Sequence, residues 1–252
     1  MINKTHHELK IAYLRDRLKN YPRGTFGMHR GKRVVYITYD PTDPDVTSVK
    51  RKRFICDSKE GLVYSELLRE AYELERELKE LLFKWEETYK GMPRDITFPL
   101  ERKTRSFLDK ELYFSSESDQ NPLKRSNKII YKGQYLRSKN ELLACQALDK
   151  MGYEFKSEIA LTPPGFKTFF PDVIFYIREI EKPVALEVDG AMDEKGYRYK
   201  AYQRADDYFD AGLMEFKDVV FFRLTDPYSI DMDRFNAVVN AAILANIDDL
   251  NI

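Results

Sequence analysis

The stretch that most constrains this chain runs from Phe169 to Gly190. Phe169-Phe-Pro-Asp172-Val-Ile-Phe-Tyr-Ile177 and Val184-Ala-Leu-Glu187-Val-Asp189-Gly190 each read as a short apolar strand bounded by turn residues. Carboxylates nevertheless stand in or at the edge of both, at Asp172, Glu187 and Asp189. Side chains alternate along a strand, so Leu186 and Val188 take one face and Glu187 and Asp189 share the other. Acids crowded at a partly desolvated strand end repel one another unless a proton, a basic partner or a metal ion offsets their charge. All three offer only oxygen, which favours a hard ion, Mg²⁺ or Mn²⁺, over zinc. The plainer alternative is an edge strand whose acids are simply solvated.

With 252 residues, 43% hydrophobic and 33% charged, the composition is that of a soluble globular protein with room for one large domain or two ordinary ones. No apolar run approaches the length of a membrane span, and Met1-Ile-Asn-Lys-Thr-His-His7 does not read as a secretory signal, so the expected compartment is the cytoplasm. Cys56 and Cys145 stand far apart without metal-ligand spacing, which argues for buried or half-buried thiols and against a disulfide framework or a zinc site. Net charge is zero but uneven. Lys plus Arg outnumber Asp plus Glu by 14 to 7 over residues 1–60, and fall behind by 12 to 21 over 141–252. A basic front suited to a polyanion and an acidic rear suited to cations follow from that distribution.

Along the front, residues 5–20 carry Leu9, Ile11, Leu14 and Leu18 at helical spacing and stop at Asn20-Tyr21-Pro22. A turn-rich passage over 23–27 precedes a strand at 33–39, and a second strand at 49–56 returns as a hairpin. Lys50, Arg51, Lys52 and Arg53 on that second strand are candidates for nucleic-acid phosphates. They equally suit an edge strand guarded by charge. From Val63 to Lys90, Leu67, Ala71, Leu74, Leu78, Leu81 and Trp85 recur in a heptad-like seam that predicts a long helix. The seam can pack on the first helix, and extending that contact would make a homodimer through 63–90. Domains are therefore expected at 1–92 and 129–252, joined by an irregular connector over 93–128 with one short helix near 101–113.

The rear predicts a short strand at 128–132, then a helix over 138–151. Ser138 and Glu141 form its capping box and Gly152 its C-cap. Strands follow at 153–161, 168–177 and 183–189, then a helix over 195–211, a strand at 219–224 and a final helix over 230–247. This order, with Glu141 on the first helix, Pro171-Asp172 on the second strand, Glu187-Val-Asp189-Gly190 on the third and Arg223 ending the last strand, resembles the PD-(D/E)XK nuclease superfamily, in particular its very-short-patch-repair-like branch. The resemblance covers roughly residues 129–226. It implies a restriction-endonuclease-like core of helix, three strands, helix, strand, and with the α+β helix-hairpin-helix pattern of the front the whole chain is expected to be α/β.

The same resemblance implies a metal-dependent endonuclease that hydrolyses DNA phosphodiester bonds, with Asp172, Glu187, Asp189 and Glu141 around Mg²⁺ or Mn²⁺. Asp189 stands where the superfamily usually has Lys, so the basic role passes to the next helix. There Tyr197, Lys200 and Arg204 are expected to share a face. Lys200 is the first choice, Arg204 the second and Lys167 a weaker third; Tyr197 and Arg198 are further candidates for nucleic-acid contact. Glu141 serves equally well as a capping residue with no role in chemistry. The competing function is a nuclease fold that binds DNA or a protein without cutting, a reading the Asp at 189 favours.

Overall fold

The computed structural model describes residues 3–39, 50–123, 129–224 and 229–252. The chain divides into two compact units, Met1–Phe98 and Pro99–Ile252. Both are mixtures of helix and strand, so the chain is α/β as a class.

In the first unit, helix α1 (Lys4–Leu18) is followed by strands β1 (Arg23–His29), β2 (Lys32–Tyr39) and β3 (Lys50–Ile55), then by the 31-residue helix α2 (Lys59–Tyr89). The glycine-rich passage expected to be a turn is a strand, and the sheet has the order β1-β2-β3, all antiparallel. Propensity misleads here because Gly27 lies where the Tyr36 ring of β2 crosses its neighbour: a Cβ at Gly27 would stand 2.9 Å from Tyr36 Cε2. The true turn is Arg30-Gly31, with φ of 48° and 76°, a two-residue connection whose left-handed backbone matches the twist of the strands.

Helix α2 begins four residues before the expected start, at the Ser58 cap, whose hydroxyl accepts from the Gly61 N–H at 3.1 Å. Its first half packs Leu68 against Val35, Ile37 and Phe54 of the sheet. Its second half packs Leu81 and Trp85 against Ile11 and Leu14 of α1. Most of the predicted seam is thus used within the unit, with Leu68 buried where Leu67 was expected and Leu67 itself half-buried.

The second unit begins earlier than the sequence suggests. Residues 99–123 are not a connector: the Lys103 N–H donates to Asp249 O at 2.8 Å, and Leu108 and Tyr113 are buried in the same core as Ile174 and Ala185. The buried Lys182 ammonium donates to Ser106 Oγ at 2.7 Å, to Leu108 O at 2.8 Å and to Asp218 at 2.7 Å, tying this segment to the sheet. Its only helix is α3 (Lys110–Ser115).

A hairpin, β4 (Ile129–Tyr131) and β5 (Gln134–Leu136), replaces the single expected strand. Then come α4 (Lys139–Lys150), β6 (Glu154–Ser157), β7 (Val173–Ile177), β8 (Lys182–Asp189), α5 (Lys195–Asp210), β9 (Val219–Arg223) and α6 (Met232–Ile247). The sheet order is β6-β7-β8-β9, antiparallel except for β8 and β9, which run parallel around the α5 crossover.

Both sheet faces are covered. Phe221 meets Tyr208 of α5, while the next residue, Phe222, meets Phe235 of α6. All eight residues of β8 are buried, which explains its near-continuous apolar run. Cys145 is buried in α4 and Cys56 half-buried. Among the described residues, no helix is long and apolar enough to cross a membrane.

The Ser138 hydroxyl accepts from the Glu141 N–H at 3.1 Å and caps α4. Ser138→Ala is expected to cost about 1 kcal/mol of stability, read as a lower urea midpoint with an unchanged slope.

Candidate active site

Alternation along β8 turns Glu187 and Asp189 to the α5 side, with side chains only 3% and 0% exposed. Asp172 enters from the residue before β7 and accepts the Val188 N–H at 2.8 Å, which fixes it one strand away from the pair. From α5, Tyr197, Ala201, Arg204 and Tyr208 recur at steps of four, three and four residues and form the inward stripe. The Arg204 guanidinium pairs with Asp189 and lies 3.5 Å from Glu187. The Tyr208 hydroxyl donates to Glu187 Oε1 at 2.7 Å, and the Gly190 N–H donates to the Tyr197 hydroxyl at 3.4 Å. Arg223, at the end of β9, stands 3.8 Å from Asp189 Oδ2.

Glu141 reaches the same neighbourhood from α4, where its carboxylate accepts the Arg137 N–H at 2.7 Å. It therefore serves the helix terminus and faces the other acids at once. Loss of hydration raises its pKa, a shift that its backbone and Ser138 hydrogen bonds oppose. Burial, then the charges of Glu187 and Glu141, hold the Asp172 carboxyl well above the usual range. Burial lifts Glu187 to about 7 against the opposing pull of Arg204 and Tyr208, with Asp189 and Glu141 adding to the rise. Burial works against charge on Arg204, yet Glu187, Asp189 and Asp172 together raise its pKa. Acids outnumber bases, and the surplus is expressed as carboxyls reluctant to ionise.

Several placements differ from expectation. Lys200 lies at the edge of the α5 stripe, exposed, and among the described residues forms no ion pair; Arg204 occupies the position expected of it. A lysine one position before the buried Ala201 is turned off the inner face by the 100° step of the helix. Lys167 pairs with Asp207 and is likewise away from the acids. Tyr197 is part of the site's wall, whereas Arg198 is exposed and donates to Met192 O at 3.3 Å. On β3, Arg51, Lys52 and Arg53 are exposed, with Lys52 5.0 Å over the Phe54 ring; the Lys50 side chain lies outside the described residues. Tyr208 was missed as a site residue, although its place four residues after Arg204 on the same stripe would have shown it. Arg223 stood out in the sequence only as the end of its strand.

As the side chains stand, no three His, Cys, Asp or Glu groups among the described residues converge closely enough to hold an ion. Arg204, paired with Asp189 and 3.5 Å from Glu187, supplies the positive charge between those two acids. The donor set still suits a hard divalent ion: Asp189 Oδ2 is buried without a hydrogen-bond partner, and the raised pKa values of Asp172 and Glu187 mark an unmet demand for positive charge. The buried Nε atoms of Arg204 and Arg223 also lack hydrogen-bond partners; that of Arg223 faces Asp189 Oδ2 at 3.8 Å, an ion pair too long to be a hydrogen bond.

A four-stranded mixed sheet with an acidic cluster at the ends of two central strands, faced by a helix whose Arg204 meets the acids, defines the architecture of this unit. Comparison of the chain with protein-family models, curated proteins and solved structures returns no match.

Proposed function

We propose that the second unit is a divalent-metal-dependent endonuclease of the PD-(D/E)XK kind, cutting DNA phosphodiester bonds. The supporting observation is the meeting of Asp172, Glu187 and Asp189 at adjacent strand ends with Arg204 between the last two. Asp172, Glu187 and Asp189 would hold Mg²⁺ or Mn²⁺, and Glu141 would complete the set through water. A cation there would polarise the scissile phosphate and lower the pKa of water. Displaced from the carboxylates, the Arg204 guanidinium would turn to the phosphate and stabilise charge growing on its oxygens. Arginine keeps its proton at all working pH values, so it binds and orients but accepts no proton. Tyr208 and the Val188 N–H hold Glu187 and Asp172 in place for that exchange.

The second reading, a nuclease fold that binds without cutting, draws on Asp189 in place of the usual Lys and on the closed Arg204 pair. Incubation with plasmid and with single-stranded DNA in Mg²⁺ or Mn²⁺, against a chelator control, separates the two. Metal-dependent cleavage supports the first, and binding without cleavage the second.

Ion binding is expected to depend on pH through Glu187. Its pKa is raised from 4.5 to about 7, so below 7 an incoming ion must displace a proton. Asp172, also held above its usual range, adds to this, so Mn²⁺ affinity, titrated calorimetrically, is expected to rise by at least roughly tenfold per pH unit below 7. An affinity independent of pH between 6 and 8 would remove Glu187 and Asp172 from the ligand set.

A further inference from the structure

The three-stranded sheet of the first unit has one face on α2, where Val35, Ile37 and Phe54 meet Leu68. The register places a different set on the other face. Thr25, Tyr36 and Arg53 form one row across the three strands, and Arg23, Thr38 and Arg51 the next. Arg51 and Arg53 are exposed and Tyr36 is half-buried. Tyr36 does not stand off the sheet. Its ring leans across Gly27, with Cε2 and Cδ2 at 2.9 and 3.4 Å from where a Cβ on that residue would be, so only a glycine admits this posture. The result is a half-buried aromatic side chain that lies toward β1 and helps cover this face, where Val34 is buried, while on the edge strand β3 the exposed Arg53 stands opposite Tyr36 in register and the exposed Arg51 one row further on.

We propose that this face binds single-stranded nucleic acid, one base stacking on Tyr36 while Arg51 and Arg53 hold the neighbouring phosphates. Residues two apart on a strand are separated by roughly 6.6 Å, comparable to the step between successive phosphates of an extended strand. Aromatic stacking needs an unpaired base with a free π-face, which a closed duplex withholds. Guanidinium groups alone would serve either form, so Tyr36 gives the surface its preference for single strands. The alternative role of the arginines, discouraging edge-to-edge pairing of β3, makes no use of Tyr36 and predicts no preference between strands. This inference rests on reading the chain as one that acts on nucleic acid, but it can be tested where no cutting occurs.

The test is fluorescence anisotropy of the full chain in chelator, with labelled oligo-dT, oligo-U and a blunt duplex. Both single strands are expected to bind more tightly than the duplex. Tyr36→Leu should weaken single-strand binding by roughly tenfold or more, while Tyr36→Phe, which keeps the ring, should retain it. Arg51→Gln with Arg53→Gln should reduce the slope of log affinity against log salt by about 1.4, the value for two phosphates on a single strand. A Tyr36→Leu chain that binds oligo-dT as the parent does, a Tyr36→Phe chain that fails to, or a duplex bound as tightly as the single strands would overturn the proposal. Absence of cleavage in Mg²⁺ with this binding intact would count against the nuclease alone.

Discussion

An Asp172→Asn chain is expected to lose at least about a thousandfold of any Mg²⁺-dependent cleavage while becoming more stable without metal. The loss follows from removing one negative charge from a site whose ion would be held by charge. The gain follows from the same residue. Burial and the charges of Glu187 and Glu141 raise the Asp172 pKa in the folded protein above its unfolded value. A carboxyl shifted upward contributes stability below its unfolded pKa and loses it as pH rises. Asparagine escapes that loss, and its side-chain oxygen can still accept the Val188 N–H at 2.8 Å. Urea midpoints without metal should therefore nearly coincide at pH 4 and separate at pH 8 in favour of the variant. Equal midpoints at both pH values would mean that Asp172 is hydrated and the acids do not crowd; cleavage surviving the substitution would mean another protein cuts the DNA.

Arg204→Gln is expected to destabilise the chain by about 2–3 kcal/mol at pH 8. That lies below the roughly 3–5 kcal/mol of a fully buried pair because the guanidinium is itself partly in water. The carboxylates left behind have no such relief: the Glu187 and Asp189 side chains are 3% and 0% exposed. Substitution leaves both acids short of their nearest cation, and Asp189 already has one buried oxygen without a hydrogen-bond partner. If the position held by Arg204 is also where a divalent ion belongs, millimolar Mn²⁺ should raise the melting temperature of the variant by more than that of the parent, because the ion binds only the folded state and meets no competing arginine. A Mn²⁺ response no larger than the parent's would show that the acids are a structural cluster served by Arg204 alone. This outcome is read from melting, independently of whether any DNA is cut.

The elements of the second unit were largely legible in the chain because each signal was local. The Ser138 cap, the left-handed residues at Gly152 and Gly212, and the apolar runs of β7, β8 and β9 all act within a few residues. The departures have non-local causes. Residues 23–29 are rich in turn formers but pair with β2, which decides their conformation. Residues 99–123 lack periodicity, yet Lys182 and Asp249 hold them against the second unit. Which basic residue meets the acids was not legible for the same reason: Lys200 and Arg204 lie within about one turn of each other on α5, and the packing of the helix sets Arg204 against them.

Periodicity was enough to put Glu187 and Asp189 on one face of an apolar strand, opposite Leu186 and Val188, while a solvated edge strand stayed open until the sheet showed that strand buried. Which positive charge meets those acids was not contained in any local pattern. It depends on how α5 is rotated against β8, a matter of Ala201 and Tyr208 filling the space between helix and sheet, and that rotation brings Arg204 to the carboxylates and leaves Lys200 in water.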